Sequence, residues 1–262
     1  MFSGFFGISI LVFTQGCWML SARPAMCGIK LSATTCLRFC KYAYVVFGFF
    51  LELEWGKMKS KLEEAFREAA HAADRAVSAA MLKYADGLVT DEDDITGALI
   101  GRLDSAFDEK IGGITWSSSI LRHRKGVAAQ EKKAGADMLF HVSIQTPQLT
   151  YSKGVLIQSK RIDECIPMPV IGYKELLGQC DKMLDITSAS FVFNYTKSGM
   201  RCASATKIAG TSSRILSDSC NLTSYRFFLE LFRCTIGDRR ITSAKFDDLW
   251  IPQGIAIKGI LG

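Results

Sequence analysis

Two apolar segments that lie close together in the chain decide the fold: GADMLFHVSIQ at residues 135–145 and GVLIQSKR at residues 154–161. Each is a short apolar run bounded by glycine or polar residues, which is typical of strands, and we predict strands over 136–145 and 154–160. The stretch between them is of hairpin length and contains the loop-like Thr146-Pro147-Gln148. If the two strands pair as a hairpin, the start of the first lies beside the end of the second.

Polar side chains occupy the two strand ends that such a hairpin brings together. Asp137 opens the first strand, and Gln158 and Lys160 close the second. Residues two apart on a strand point to the same face, so Gln158 and Lys160 project together while Ile157 faces the core. Each of these residues alone is more often a turn residue or a solvated strand end. The set of three is a candidate catalytic site.

Helical patterns are found on both sides of the hairpin. Apolar residues recur three and four apart from Lys59 to about Tyr84, and Gly87 ends this helix. A second helix begins at Thr90, where Thr90-Asp91-Glu92-Asp93 has the form of a capping box. The remaining predicted elements are a helix over 171–185, strands over 114–122, 188–195 and 201–208, and a helix or strand over 225–234. This order predicts an α/β sandwich, a mixed central sheet flanked by helices on both faces.

The ordered set resembles the PD-(D/E)xK nuclease superfamily, which has the restriction-endonuclease-like fold. The likeness is to the Gln-x-Lys variant of Mrr-type restriction and related bacterial defence nucleases, and it covers roughly residues 90–200. It rests on five features in order: an acid-bearing helix with Glu92, a strand with Asp137, a strand ending Gln158-Ser159-Lys160, a helix with Gln179 and a strongly apolar strand. The resemblance implies a metal-dependent DNA endonuclease that acts in bacterial anti-phage defence or restriction.

The resemblance also assigns roles to these residues. Asp137 supplies the essential carboxylate to Mg²⁺ (or Mn²⁺), with the Gln158 amide oxygen, the Ser159 carbonyl and Glu92 as further ligands. A bound cation neutralises phosphate charge and lowers the pKa of the attacking water, and Mg²⁺ prefers oxygen ligands. Lys160 orients that water and stabilises developing charge, while Gln179 holds substrate or water.

Several of these assignments have alternatives. Asp93 or Asp94 could replace Glu92, and Glu131 is a second candidate acid. Glu92 is also an acid of the kind that a helix N-terminus favours. Most of the superfamily has an acid at the position of Gln158, so we expect low metal affinity until phosphate oxygens of DNA complete the site.

Basic residues around the hairpin are candidates for contacts with DNA phosphates. They are equally consistent with a solvated hairpin edge. The candidates are Arg124, Lys125, Lys132, Lys133 and Arg161. Nucleases of this fold often form dimers, and a sensor or defence-system partner protein is possible, although no interface is evident in the sequence.

The composition excludes several other classes of protein. The 262 residues are 48% hydrophobic and 22% charged with a net charge of +6, which is typical of a globular chain with a mildly basic surface. Nine cysteines without a CxxC pair argue against a disulfide framework or a zinc ribbon, and favour a cytoplasmic chain with reduced thiols. Walker A, dinucleotide GxGxxG and GxSxG motifs are missing from the sequence, so the corresponding NTPase, redox and esterase functions lack their signatures.

The character of the chain changes near residue 57. Residues 1–57 are apolar and carry four of the cysteines, but their apolar runs at 4–14 and 42–53 are shorter than the roughly 18–20 residues of a membrane span. Three interpretations stay open: a non-native leader before a true start at Met58, a membrane-associating segment, or an extension that packs on the domain. Residues 58–262 are expected to form the nuclease domain.

Two competing functions remain at this point. The first is a catalytically silent nuclease-like module that binds DNA or a protein partner. The second is a membrane-associated effector that uses the N-terminal segment, although the short apolar runs make a membrane association the less favoured interpretation.

Overall fold

An open, mixed sheet of eight strands organises the described part of the protein. The computed structural model describes residues 60–122, 133–147 and 149–261, which all belong to the compact unit Lys57–Gly262. Residues 1–57, and with them the three interpretations of that segment, lie outside the described residues. The predicted α/β class with a mixed sheet flanked by helices is confirmed.

The strands are ordered β1-β2-β8-β3-β4-β5-β6-β7 across the sheet. The β3–β8 and β4–β5 pairs are parallel, and the other neighbours are antiparallel. The strand bounds are β1 Lys110–Ile111, β2 Ile114–Arg122, β3 Met138–Gln145, β4 Thr150–Arg161, β5 Ser190–Thr196, β6 Gly199–Ser204, β7 Leu222–Thr223 and β8 Gln253–Ile260.

Helices flank the sheet, and each contributes apolar residues to the core. Their bounds are α1 residues 60–85, α2 Glu92–Ala106, α3 Val170–Ile186, α4 Ala205–Ala209, α5 Leu216–Ser219, α6 Ser224–Phe232 and α7 Lys245–Leu249. Within the ranges that the structure describes, no helix is long and apolar enough to cross a membrane.

Apolar side chains pack in two clusters because successive residues of a strand point to opposite faces of the sheet. Phe140 of β3 belongs to the cluster that includes α1, α2 and α6, while its neighbour Leu139 belongs to the cluster that includes α3 and α4. All seven residues of β5 are buried. A strand covered on both faces reads as a continuous apolar run, which is the pattern seen at Phe191-Val192-Phe193.

The predicted hairpin is confirmed. Strands β3 and β4 are antiparallel with Met138 opposite Ile157, and the Asp137 backbone N–H donates to the Ile157 carbonyl at 2.9 Å. The start of β3 therefore lies beside the end of β4. The C-terminal end of β5 lies at the same edge, because β5 runs parallel to β4 with Asn194 opposite Lys160.

Several local predictions need correction. Strand β4 begins at Thr150 rather than 154, and the region 201–208 is a strand only to Ser204 and then becomes α4. Of the two alternatives predicted for 225–234, the structure has the helix α6. The capping box at Thr90 is wrong, because α2 begins at Glu92 with Asp91 at its N-cap and no side-chain cap hydrogen bond. The Thr90 carbonyl instead accepts a hydrogen bond from Arg161.

Strand β8 is the longest of the elements that the sequence pattern did not reveal. It lies between β2 and β3 near the middle of the sheet. Glycines break its apolar pattern, but a Cβ at Gly254 would lie 2.4 Å from the Leu139 carbonyl oxygen. Close backbone approach therefore explains a glycine that would weaken an ordinary strand.

Candidate active site

Four elements meet where β3 begins and β4 ends. Asp137 immediately precedes β3, and Gln158, Ser159 and Lys160 are close to the C-terminal end of β4. The N-terminus of α2 contributes Glu92. Helix α3 packs closely against the segment before β3. A Cβ at Gly135 would lie 2.4 Å from the Gln179 carbonyl oxygen. Gly135 has φ of +71°, so glycine suits this position on both grounds.

The carboxylate of Asp137 is fixed by three hydrogen bonds to one of its oxygens. Oδ2 accepts from Gln158 Nε2 at 2.6 Å, from the Ser159 backbone N–H at 2.7 Å and from Ser159 Oγ at 2.6 Å. Asp137 is only 5% exposed. Among the described residues, the hydrogen bonds to this carboxylate all converge on Oδ2, which leaves Oδ1 for a ligand.

The amide of Gln158 is half satisfied. Its Nε2 donates to Asp137 Oδ2 and, at 3.2 Å, to the Ser159 carbonyl. Its Oε1 is buried and has no hydrogen-bond partner among the described residues. An unsatisfied buried acceptor costs about 1–3 kcal/mol, so such an atom is usually completed by a water or a ligand.

Lys160 forms an ion pair with Glu92 across the gap between β4 and α2. Lys160 Nζ lies 3.3 Å from Glu92 Oε1. Asp93 and Asp94 are exposed, so of the three acids in the first turn of α2 only Glu92 makes this contact. The pKa of Glu92 is raised to about 7, chiefly by burial and in part by the neighbouring carboxylate of Asp137, despite the opposing charge of Lys160.

Burial also raises the pKa of Asp137 above its usual value. Lys160 and the hydrogen bonds from Ser159 and Gln158 act in the opposite direction, because each favours the charged carboxylate. The site therefore holds two carboxyl groups that are costly to ionise in the metal-free protein, with one lysine available to both. A cation with two or more positive charges would offset that cost.

The donor set fits a hard divalent cation. Carboxylate, amide and carbonyl oxygens are the ligands that Mg²⁺ prefers, and they are supplied here by Asp137, Glu92, Gln158 and Ser159. The unpartnered Gln158 Oε1 is the observation that favours this interpretation. A group of three His, Cys, Asp or Glu side chains able to hold a metal is not found among the described residues, so any such site depends on the two neutral oxygens.

The side-chain oxygen of Gln179 on α3 is also buried and makes no hydrogen bond with any residue that the structure describes. The backbone of Gln179 packs against Gly135, two residues before Asp137. The sequence placed this glutamine on the helix that follows the second strand, and the structure places it on α3 next to the segment that carries Asp137.

The structure locates only some of the predicted phosphate-binding residues. Lys133 is exposed, and its Nζ lies 5.8 Å from the centre of the Trp250 ring. Arg161 is exposed next to Lys160 and donates to the Thr90 carbonyl. Arg124, Lys125, Lys132 and the alternative acid Glu131 lie outside the described residues.

Two hydroxyl groups near the site were missed in the sequence. Thr96 Oγ1 lies 3.4 Å from Ser159 Oγ and 3.2 Å from the Tyr195 hydroxyl. Thr96 follows Glu92 by four residues, which places both on the same face of α2, and this spacing could have identified it. Tyr195 gave no such signal, because it lies within an apolar strand and has the appearance of a core residue.

Comparison with protein-family models, with curated proteins and with solved structures finds no match. The function is therefore inferred from the geometry of the site.

Proposed function

We propose that this protein is a metal-dependent endonuclease that hydrolyses phosphodiester bonds in DNA, with a core of the restriction-endonuclease-like type. One observation carries the proposal. Asp137 lies beside Gln158, 21 residues further along the chain, and Lys160 pairs with Glu92, 68 residues before it, so the four residues converge at one edge of the sheet. The resemblance requires this convergence.

The unpartnered oxygen of Gln158 supports a cation at this edge. Asp137 Oδ1, Gln158 Oε1, the Ser159 carbonyl and Glu92 would hold Mg²⁺ or Mn²⁺. When bound, the cation would neutralise phosphate charge and lower the pKa of a coordinated water. The rest of the chemistry belongs to residues of the chain, and the most important of these is Lys160.

Lys160 has two roles in this proposal. In the metal-free protein it pairs with Glu92, which keeps its ammonium group at the site. With DNA and metal bound, the ammonium group orients the attacking water and stabilises charge on the phosphate oxygens. Gln158 contributes no charge, so phosphate oxygens of the substrate complete the site and tight metal binding requires DNA.

Lys133 and Arg161 are the described basic residues that would contact the DNA backbone, and they would add a salt-dependent, sequence-independent part of the affinity. A dimer that cuts both strands, a cytoplasmic location and a defence-system partner belong to the same proposal. They rest on the resemblance alone.

The decisive experiment incubates the full-length protein with supercoiled plasmid and Mg²⁺ or Mn²⁺. Asp137→Ala and Lys160→Ala are run beside it, with Lys258→Ala on β8 as a control lysine outside the site. Nicking by the parent and by the Lys258 variant, but not by the other two, supports the nuclease. Cleavage by all four proteins indicates contamination and removes the support for the site.

A folded parent that binds plasmid without cutting it would favour the silent binding module. In that case gel-shift affinity should survive Asp137→Ala, because a module that only binds DNA does not need the carboxylate.

A further inference from the structure

A chain of buried hydroxyl groups leads from the core to the carboxylate of Asp137. Tyr195 on β5, Thr96 on α2 and Ser159 on β4 are each at most 1% exposed. Ser159 Oγ lies 2.6 Å from Asp137 Oδ2 and 3.4 Å from Thr96 Oγ1, which lies 3.2 Å from the Tyr195 hydroxyl. Hydroxyl groups from β5, α2 and β4 therefore form one chain of contacts that ends at the Asp137 carboxylate.

The available hydrogens fix the direction of this chain. Ser159 Oγ donates its single hydrogen to Asp137, so in its contact with Thr96 it is the acceptor. Thr96 Oγ1 also has one hydrogen, so when it donates to Ser159 it accepts from the Tyr195 hydroxyl. The Glu92 carbonyl, 2.8 Å from Thr96 Oγ1, is a competing acceptor for the same hydrogen. In the arrangement that engages Ser159, Tyr195 is the first donor and Asp137 Oδ2 the last acceptor.

Packing alone does not explain these hydroxyl groups. Tyr195 belongs to the apolar cluster that contains Phe193 and Phe227, where a phenylalanine would fill similar space without a polar group. A buried network of this kind stabilises the fold only if each member is satisfied, and its usual effect is to specify one arrangement of the groups.

We propose that Tyr195 and Thr96 are positioning residues for the candidate metal site. They act through Ser159, whose hydroxyl and backbone N–H hold Asp137 Oδ2 so that Oδ1 faces the ligand. Thr96 is on α2, four residues after Glu92, so its contact with Ser159 links the helix that carries Glu92 to the strand segment that holds Asp137. The ligand side of this inference rests on the proposed function, whereas the positioning of Asp137 does not.

The test compares Tyr195→Phe with Tyr151→Phe. Tyr151 is a matched control, because it is also buried in the apolar core and its hydroxyl donates to a backbone carbonyl, that of Phe232, away from the site. A second pair is Thr96→Val, which removes the hydroxyl, and Thr96→Ser, which retains it. Thermal unfolding, calorimetric Mn²⁺ binding with and without DNA, the Mn²⁺ concentration for half-maximal plasmid cleavage and the amide NMR signal of Ser159 are measured for all four.

We expect Tyr195→Phe and Thr96→Val to raise the Mn²⁺ concentration for half-maximal cleavage about 10-fold, the equivalent of one lost hydrogen bond. Their Ser159 amide signals should shift, because that N–H donates to the carboxylate that has lost its support. Thr96→Ser and Tyr151→Phe should match the parent in metal response and in this signal, even where Tyr151→Phe is less stable.

A Tyr195→Phe protein that loses stability as Tyr151→Phe does, with unchanged metal response and Ser159 signal, would overturn the proposal. If Tyr195→Phe fails to fold, the comparison of Thr96→Val with Thr96→Ser decides by the same measurements. If the parent neither cleaves nor binds Mn²⁺, the proposed function fails, and the Ser159 signal in metal-free protein still decides whether Tyr195 positions Asp137.

Discussion

Ser159 donates both its backbone N–H and its hydroxyl to a single oxygen of Asp137, at 2.7 and 2.6 Å. A carboxylate held by two donors from one residue has little freedom to rotate. Because Ser159 lies between Gln158 and Lys160 on β4, the same short segment fixes the carboxylate and presents the amide and the ammonium group beside it.

Removing the Ser159 hydroxyl should loosen the carboxylate while keeping the backbone hydrogen bond. We expect Ser159→Ala to lower the free energy of unfolding by about 1–2 kcal/mol and to weaken Mn²⁺-dependent cleavage by several-fold, about 3- to 10-fold. Ser190→Ala is the control. Ser190 is also buried, but it is the first residue of β5 and donates to the Thr187 carbonyl, outside the candidate site. Denaturant unfolding and metal titration check this, and equal metal responses in the two variants would contradict it.

Introducing an acid at position 158 should raise the metal affinity of the site and lower the stability of the metal-free protein. Gln158→Glu adds a third carboxyl group to a buried site and replaces the amide that donates to Asp137. We expect Mn²⁺ affinity without DNA to rise about 10-fold or more, and the melting temperature in EDTA to fall because like charges are brought together. Gln158→Met separates these effects, as it should lower stability without a gain in affinity. Calorimetry and thermal unfolding with and without Mn²⁺ measure both.

Glu92 should make metal-free stability depend on pH near neutrality. Its pKa is raised to about 7 in the folded protein from 4.5, mainly by burial. Between these two pH values the folded state therefore binds more protons than the unfolded state. The stabilisation of the fold by protonated Glu92 is complete below about pH 4.5 and is lost as the pH rises through about 7. Relative to Glu92→Gln, the parent should lose about 1–3 kcal/mol of stability between pH 5 and pH 8. Denaturant unfolding in EDTA at several pH values measures this, and parallel curves would show that Glu92 is not responsible.

Strand β8 can be tested by adding a single methyl group. A Cβ at Gly254 would lie 2.4 Å from the Leu139 carbonyl oxygen, so Gly254→Ala must push two paired strands apart. We expect a loss of about 2–4 kcal/mol. Gly97→Ala on α2 is the control, because no described residue lies within 4 Å of that Cβ, and it should raise stability by up to about 1 kcal/mol. If both variants unfold at the parent's denaturant concentration, β8 is not packed against β3 as described.

The α/β class, the β3–β4 hairpin and the neighbourhood of Asp137, Gln158 and Lys160 could be predicted from the sequence. These features are local, because short apolar runs, helical spacing and a short connection each lie within a few tens of residues, and pairing two strands as a hairpin places their ends together. Glu92 could be assigned to a helix start, but only the contact with Lys160 distinguished it from Asp93 and Asp94.

The position of β8 and the hydroxyl chain next to Asp137 became evident only in the folded protein. Met138 pairs with Gln253 and Thr96 meets Tyr195 across long stretches of sequence, and no local pattern encodes such contacts. A glycine-broken strand becomes central because backbones approach closely there, and a core tyrosine becomes part of the site because three elements bring their hydroxyl groups together. Contacts between distant segments are selected by packing of the whole fold, so they emerge only when the sheet is assembled.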